Sequence, residues 1–290
     1  MSWDLDPLVV GPLVVTGALY AVGVARVWRR AGPGRGISSW SAISFASGWL
    51  VLAIALVTPI ATAAETLLSV HMTQHVLLML VAAPLLTFGQ PLLACFWAFS
   101  ANSRDRLAKR WLAPLAGKSA SHRFWRAVTA PATAFVIQAV ALWVWHIPSW
   151  YEAALRHDAI HALEHLSFVL TACLFWWAMV RGRYGRAGYG LSVLYVFLTA
   201  VHSSALGALL TVAPSVWYDD YAQRAAALHV DALADQQLAG LLMWIPASVV
   251  FIVLGLALFA AWMGEAERRA GFGLTDTAAR RFIEAGTDAQ

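Results

Sequence analysis

His71-Met72-Thr73-Gln74-His75-Val76-Leu77-Leu78-Met79-Leu80 sets two imidazoles, a thioether and an amide into a run that is otherwise apolar. On a helix, residues four apart share a face, so His71, His75 and Met79 are expected to form one stripe. These are borderline-to-soft donors of the kind that suit copper, Cu(I) in particular. The surrounding chain identifies the solvent. It is 60% hydrophobic and 12% charged, with a mean hydropathy of +0.64, too apolar for a soluble domain of 290 residues.

Apolar runs of about 20 residues cross a hydrocarbon core of ~30 Å. Seven runs qualify: Pro7 to Trp28, Trp40 to Ile60, Thr66 to Leu86, Pro131 to Trp145, Ala159 to Val180, Leu191 to Ala213 and Leu238 to Trp262. Phe88 to Phe99 is too short to span and follows Pro84, Gly89 and Pro91, so it reads as a kinked, half-embedded segment. The expected fold class is all-α: a polytopic seven-transmembrane-helix bundle over residues 1–265, with a basic cytoplasmic tail at 266–290.

Eighteen of the 20 basic residues follow the first, third, fifth and seventh helices, leaving Arg156 and Arg224 on the other face. The positive-inside rule then puts the N-terminus outside and the C-terminus in the cytoplasm. The net charge of +4 is thereby read as topology and implies no nucleic acid partner. The opening Met-Ser-Trp-Asp-Leu-Asp lacks a basic n-region, so the first helix is expected to be retained. The basic loop from Ser100 to Ala130, with Trp111, Phe124 and Trp125, suits a segment lying on anionic membrane lipid. The exterior loop from Pro214 to Asp235 carries four aspartates with Trp217, Tyr218 and Tyr221, and either meets a partner or faces water.

This orientation gathers histidines in the outer half of the bundle. His71 and His75 lie on the third helix, His146 ends the fourth, and His157, His161 and His165 repeat every four residues into the fifth. His202 is near the middle of the sixth, and Asp235 shares a stripe with Ala239 and Met243 on the seventh. The candidate metal ligands are therefore His71, His75, His146, His157, His161, His165, His202, Asp235, Met79 and Met243. Gln74, Glu164 and Gln236 are cast as groups that hold imidazole tautomers. A lone membrane histidine is often only an interhelical hydrogen-bonding residue, and methionine is an ordinary gap-filler. Two sets spaced i, i+4 on different helices are costly to keep in lipid, which favours a metal.

Two further readings use the same residues. His161-Ala162-Leu163-Glu164-His165 fits the H-x-x-E-H pattern of a zinc peptidase, for which Asp235 could supply the acidic third ligand. Facing histidines could instead clamp a haem. Cys95 and Cys173 lie far apart in apolar segments and read as packing residues.

The histidine run quoted above, Pro84-Leu85-Leu86, Trp145-His146-Ile147-Pro148 with Tyr151, His161-Ala162-Leu163-Glu164-His165 and Asp235-Gln236-Gln237-Leu238-Ala239-Gly240-Leu241-Leu242-Met243-Trp244 occur in that order. Together, from Trp40 to Trp262, they resemble the bacterial seven-helix CtaG-type cytochrome c oxidase assembly proteins. The resemblance implies a non-enzymatic factor of the bacterial cytoplasmic membrane that handles copper for haem-copper oxidase subunits. The metal site would lie near the exterior face, with an exterior copper donor as a further partner.

Overall fold

The computed structural model describes Trp3 and residues 5–109, 120–181 and 188–287, and every regular element among the described residues is helical. Helix α1 (Pro7–Ala31) starts where the Asp6 carboxylate accepts the Leu8 amide and Pro7 presets the first turn. Ser38 caps α2 (Ser39–Val57) by accepting from the Ser41 amide. Short α3 (Pro59–Ala64) leads into α4 (Leu68–Phe88), and the chain breaks at Gln90, which is left-handed with φ 58°. Then come α5 (Pro91–Ala98), α6 (Ala101–Leu107), α7 (Ala120–Val128), α8 (Pro131–Trp145) and α9 (Pro148–Arg156). The series closes with α10 (Asp158–Arg181), α11 (Gly188–Val212), α12 (Asp219–Ala227) and α13 (Ala232–Thr287).

Among the described residues, six helices are long and apolar enough to cross a membrane: α1, α2, α4, α10, α11 and α13. The remaining expected crossing is α8, whose 15 residues cover roughly 22 Å at the α-helical rise. It meets α7 at a 59° bend, and the two make a seventh span only if counted together. Pro131 sits at that bend, where it removes a backbone donor. The segment expected to be half-embedded, Phe88 to Phe99, contains α5, which packs against α1. Residue 265, the expected end of the bundle domain, coincides with no break, because α13 continues through it.

Helix α4 is not uniform. It is α-helical to Val76, π-helical over Leu77–Ala82 and α-helical again from Ala83. The wider π turn offsets Met79 from the line through His71 and His75 that strict four-residue spacing implied. It also presents the Met79 carbonyl to Trp176 of α10, whose indole N–H donates to it at 2.9 Å.

Helix α13 lies closest to α11 at Gly240 and Gly207. A Cβ on Gly240 would collide with the Gly207 carbonyl and with Thr211 Oγ1, so only glycine permits this approach. That contact sets the height of Asp235 and Met243 in the bundle. The starts of α4, α10 and α13 thus meet the end of α8 at one end of the molecule, and α9 and α12 lie across it. Tyr221 of α12 donates to the Ala64 carbonyl at 2.6 Å, and Tyr218 donates to the His146 carbonyl at 3.0 Å.

Candidate metal centre

Crossing of α4 and α10 brings two histidine pairs face to face. The rings of His71 and His75 are 4.3 Å apart between centroids, as are those of His161 and His165. Across the crossing, His71 lies 5.5 Å from His161 and 5.8 Å from His165, and His75 lies 5.4 Å from His165. One ligand atom from each of His71, His161 and His165 falls within 4.8 Å of the other two, and the same is true of His71, His75 and Glu164. His71 belongs to both groups and is the hub.

Glu164 stands at the centre, fully buried, with Oε1 3.6 Å from His75 Nε2 and 4.0 Å from His71 Nε2. Sequence spacing cast it as a support for neighbouring imidazoles, and the crossing also brings its carboxylate within ligand distance of His71 and His75. Both Glu164 oxygens, both ring nitrogens of His75 and Nε2 of His165 are buried without a hydrogen-bond partner. Each such group costs about 1–3 kcal/mol when left unpaired, a cost that a bound cation at this point would remove. His146 joins from the end of α8. Its Nδ1 lies 2.7 Å from the Leu142 carbonyl, which only accepts, so Nε2 keeps its lone pair and the ring sits 6.2 Å from His75.

The walls are aromatic. Tyr151 of α9 is 5.3 Å from His71 and Tyr221 is 6.2 Å from it; Phe168 of α10 is 4.7 Å from His75. Tyr218 lies tilted beside Tyr151, ring centroids 4.3 Å apart. Burial, reinforced by neighbouring phenols and Glu164, pushes the Tyr151 hydroxyl well above its ordinary range, and burial does the same to Tyr218 and Tyr221. They remain neutral phenols that exclude water. Tyr218 and Tyr221 were legible only as interface aromatics of an exterior loop; their place as a roof follows from how α12 folds over the site.

Other expected ligands sit apart. The Asp235 carboxylate accepts from the Leu68 amide at 2.7 Å, from the Ser69 amide at 3.4 Å and from the Ser69 hydroxyl. It caps α4, whose own N-cap residue, Leu67, has no side-chain acceptor, and it is in neither of the two ligand groups. His157 is exposed at the junction of α9 and α10. His202 lies against Phe135, 5.6 Å away, and is in neither ligand group. Gln74 donates to the Ala55 carbonyl at 2.7 Å, while Gln236 accepts from the Trp217 amide and donates to the Ser215 carbonyl. Neither glutamine holds an imidazole. Met79 and Met243 line a cavity of about 50 Å³ beneath the cluster, together with His75, His146, Gln138 and Trp176. That space is far below the roughly 300 Å³ or more of a typical cofactor site, so a porphyrin does not fit.

Residues 18–265 match the family described as cytochrome c oxidase caa3 assembly factor. An uncharacterized protein of Mycobacterium leprae is 24% identical over 275 residues, 92% of this chain and 40% of that protein. A second, from Mycobacterium bovis, is 24% identical over 274 residues, with the same shares of each chain. The chain thus spans 40% of the length of these curated relatives. No solved structure matches it.

Proposed function

The chain belongs to the caa3 cytochrome c oxidase assembly factor family, and we propose that it holds copper, as Cu(I), at the histidine cluster and passes it to a haem-copper oxidase subunit. The observation that carries this reading is the convergence of unpartnered, buried nitrogens and a carboxylate on one point between α4 and α10. His71, His75, His161 and His165 are cast as ligands, with His146 at their edge. A single carboxylate among neutral imidazoles offsets the charge of a monovalent cation, which a buried site favours over an uncompensated ion. Crowding of more imidazoles than Cu(I) needs suits release by ligand exchange, in which one ligand leaves as a partner's ligand arrives. Methionines and His146 in the cavity below offer further soft donors. In this reading the membrane is the bacterial cytoplasmic membrane and the site faces its exterior, where a copper donor would load it.

Metal analysis of the purified chain tests the proposal. His75→Ala and His165→Ala should each lose most bound copper, whereas His157→Ala and His202→Ala should keep it. Full copper in the first pair would remove the cluster as the site. Zinc in place of copper would redirect the reading to hydrolysis.

A further inference from the structure

The opposite end of the bundle gathers positive charge into a pocket. Gly23 of α1 lets α5 pack closely, since a Cβ there would collide with the Ala94 carbonyl. The last turn of α5 therefore lies beside the last turns of α1, and Arg26 Nη1 donates to the Ala98 carbonyl, at the negative end of the α5 dipole. Ser100 then caps α6 by accepting from the Ser103 amide, which folds the chain back on itself. Arg104 consequently stacks over Trp97, its Cζ 3.9 Å from the ring centroid, and Arg30 approaches the same ring at 5.4 Å.

Arg26, Arg29, Arg30 and Arg104, with Phe99 and Ser100, line a cavity of about 370 Å³. Among the described residues none of these four guanidiniums pairs with a carboxylate. The nearest acid in sequence, Asp105, is taken by Lys109 at 2.8 Å. Cation–π contacts and a backbone carbonyl hold the like charges together, and their mutual repulsion is left for an anion to offset.

We propose that this pocket binds the phosphate-bearing headgroup of an anionic phospholipid. Planar guanidinium forks match phosphate oxygens in pairs, and four of them surround one space. The volume falls in the size class of small-molecule sites, well beyond a single inorganic anion. The pocket also opens where the apolar run of α1 ends, with Leu92, Leu93 and Phe99 exposed on the adjoining α5 segment as a bed for acyl chains. Basic pockets between membrane helices recognise headgroups in this way.

The full chain, delipidated in neutral detergent, is titrated with phosphatidylglycerol and with phosphatidylcholine of the same acyl chains, and adducts are counted by native mass spectrometry. Phosphatidylglycerol should bind at least about tenfold more tightly, as expected for charge-assisted hydrogen bonds that the zwitterion cannot satisfy equally. Arg29→Gln with Arg104→Gln should abolish that preference, while Arg123→Gln with Arg126→Gln, on α7, should preserve it. Equal binding of the two lipids by the unaltered chain overturns the proposal, and so does a preference that survives the pocket substitutions. A third arm adds inorganic phosphate at millimolar concentration. It should leave the lipid adducts in place, and displacement by phosphate would reassign the pocket to a free anion. The lipid comparison on the unaltered chain decides the matter even if the substituted protein fails to fold.

Discussion

Asp235 stabilises a helix to which it does not belong. The chain entering α4 offers no local side-chain cap at Leu67, and the carboxylate of α13 satisfies two of the orphan amides there. Asp235→Ala should therefore cost about 0.5–2 kcal/mol, the usual range for a lost cap, and lower the thermal midpoint by a few degrees. Asp235→Asn should recover most of that, because an amide oxygen also accepts, and neither variant should change copper per folded chain. Loss of copper from a stable Asp235→Asn protein would make the residue a ligand after all. Glu164→Gln poses the converse case. It keeps the shape and removes the charge, so stability should hold while copper affinity falls by about 10–100-fold, the range for altered groups at a metal site; unchanged affinity measured by competition with a Cu(I) chelator would exclude the carboxylate. Both residues were visible in the sequence, but their surroundings were not: Asp235 meets the first turn of α4, and Glu164 faces His71 and His75. Helical spacing relates Asp235 to Met243 and Glu164 to His161, whereas which helix each side chain meets is long-range information that no periodicity contains.

The elements that close the site are short and amphipathic, and hydropathy gave no warning of them. α9 and α12 are joined by a bidentate pair, with Arg156 Nε 2.8 Å from Asp220 Oδ2 and Nη2 3.0 Å from Oδ1, and Glu152 braces the same arginine at 3.3 Å. Arg224 ties α12 to the turn before α4 through the Glu65 carbonyl at 2.5 Å. The Arg156 hydrogen bond holds the Asp220 carboxyl below its ordinary range. A depressed acid contributes its full stabilisation above the unfolded value, ~3.9, and loses it as pH falls through the lower folded value. Protection of α12 amides in hydrogen exchange, corrected for intrinsic rates, should hence be level from pH 8 to pH 5 and decline only in stronger acid. Asp220→Asn should show weaker protection at every pH, and equal protection would mean that the tyrosines alone seat the lid. The π turn in α4 was equally hidden. Leu77 to Ala82 read as good α-helix, and only the indole of Trp176, distant in sequence, reveals why the carbonyl of Met79 is turned outward.

Across the whole molecule, six of the seven expected spans were legible in order because burial in lipid demands long apolar runs, a signal that each helix carries by itself. α8 was the weak member for the same reason, being short and finished by a bent partner. Charge adds a second global signal. Arg26, Arg29, Arg30 and Arg104 line a pocket at one end of the bundle, while the histidine cluster sits under α9 and α12 at the other. If the basic end faces the cytoplasm, the cluster faces the exterior and is loaded there; if not, copper must come from within the cell. Single cysteines decide between these, in a background with Cys95 and Cys173 replaced. Ala226→Cys on the lid should react with a membrane-impermeant maleimide in intact cells, and Ala127→Cys on α7 should react only after the membrane is opened. The reverse pattern would turn the molecule over, place the histidines on the cytoplasmic side and leave an exterior donor with nothing to load.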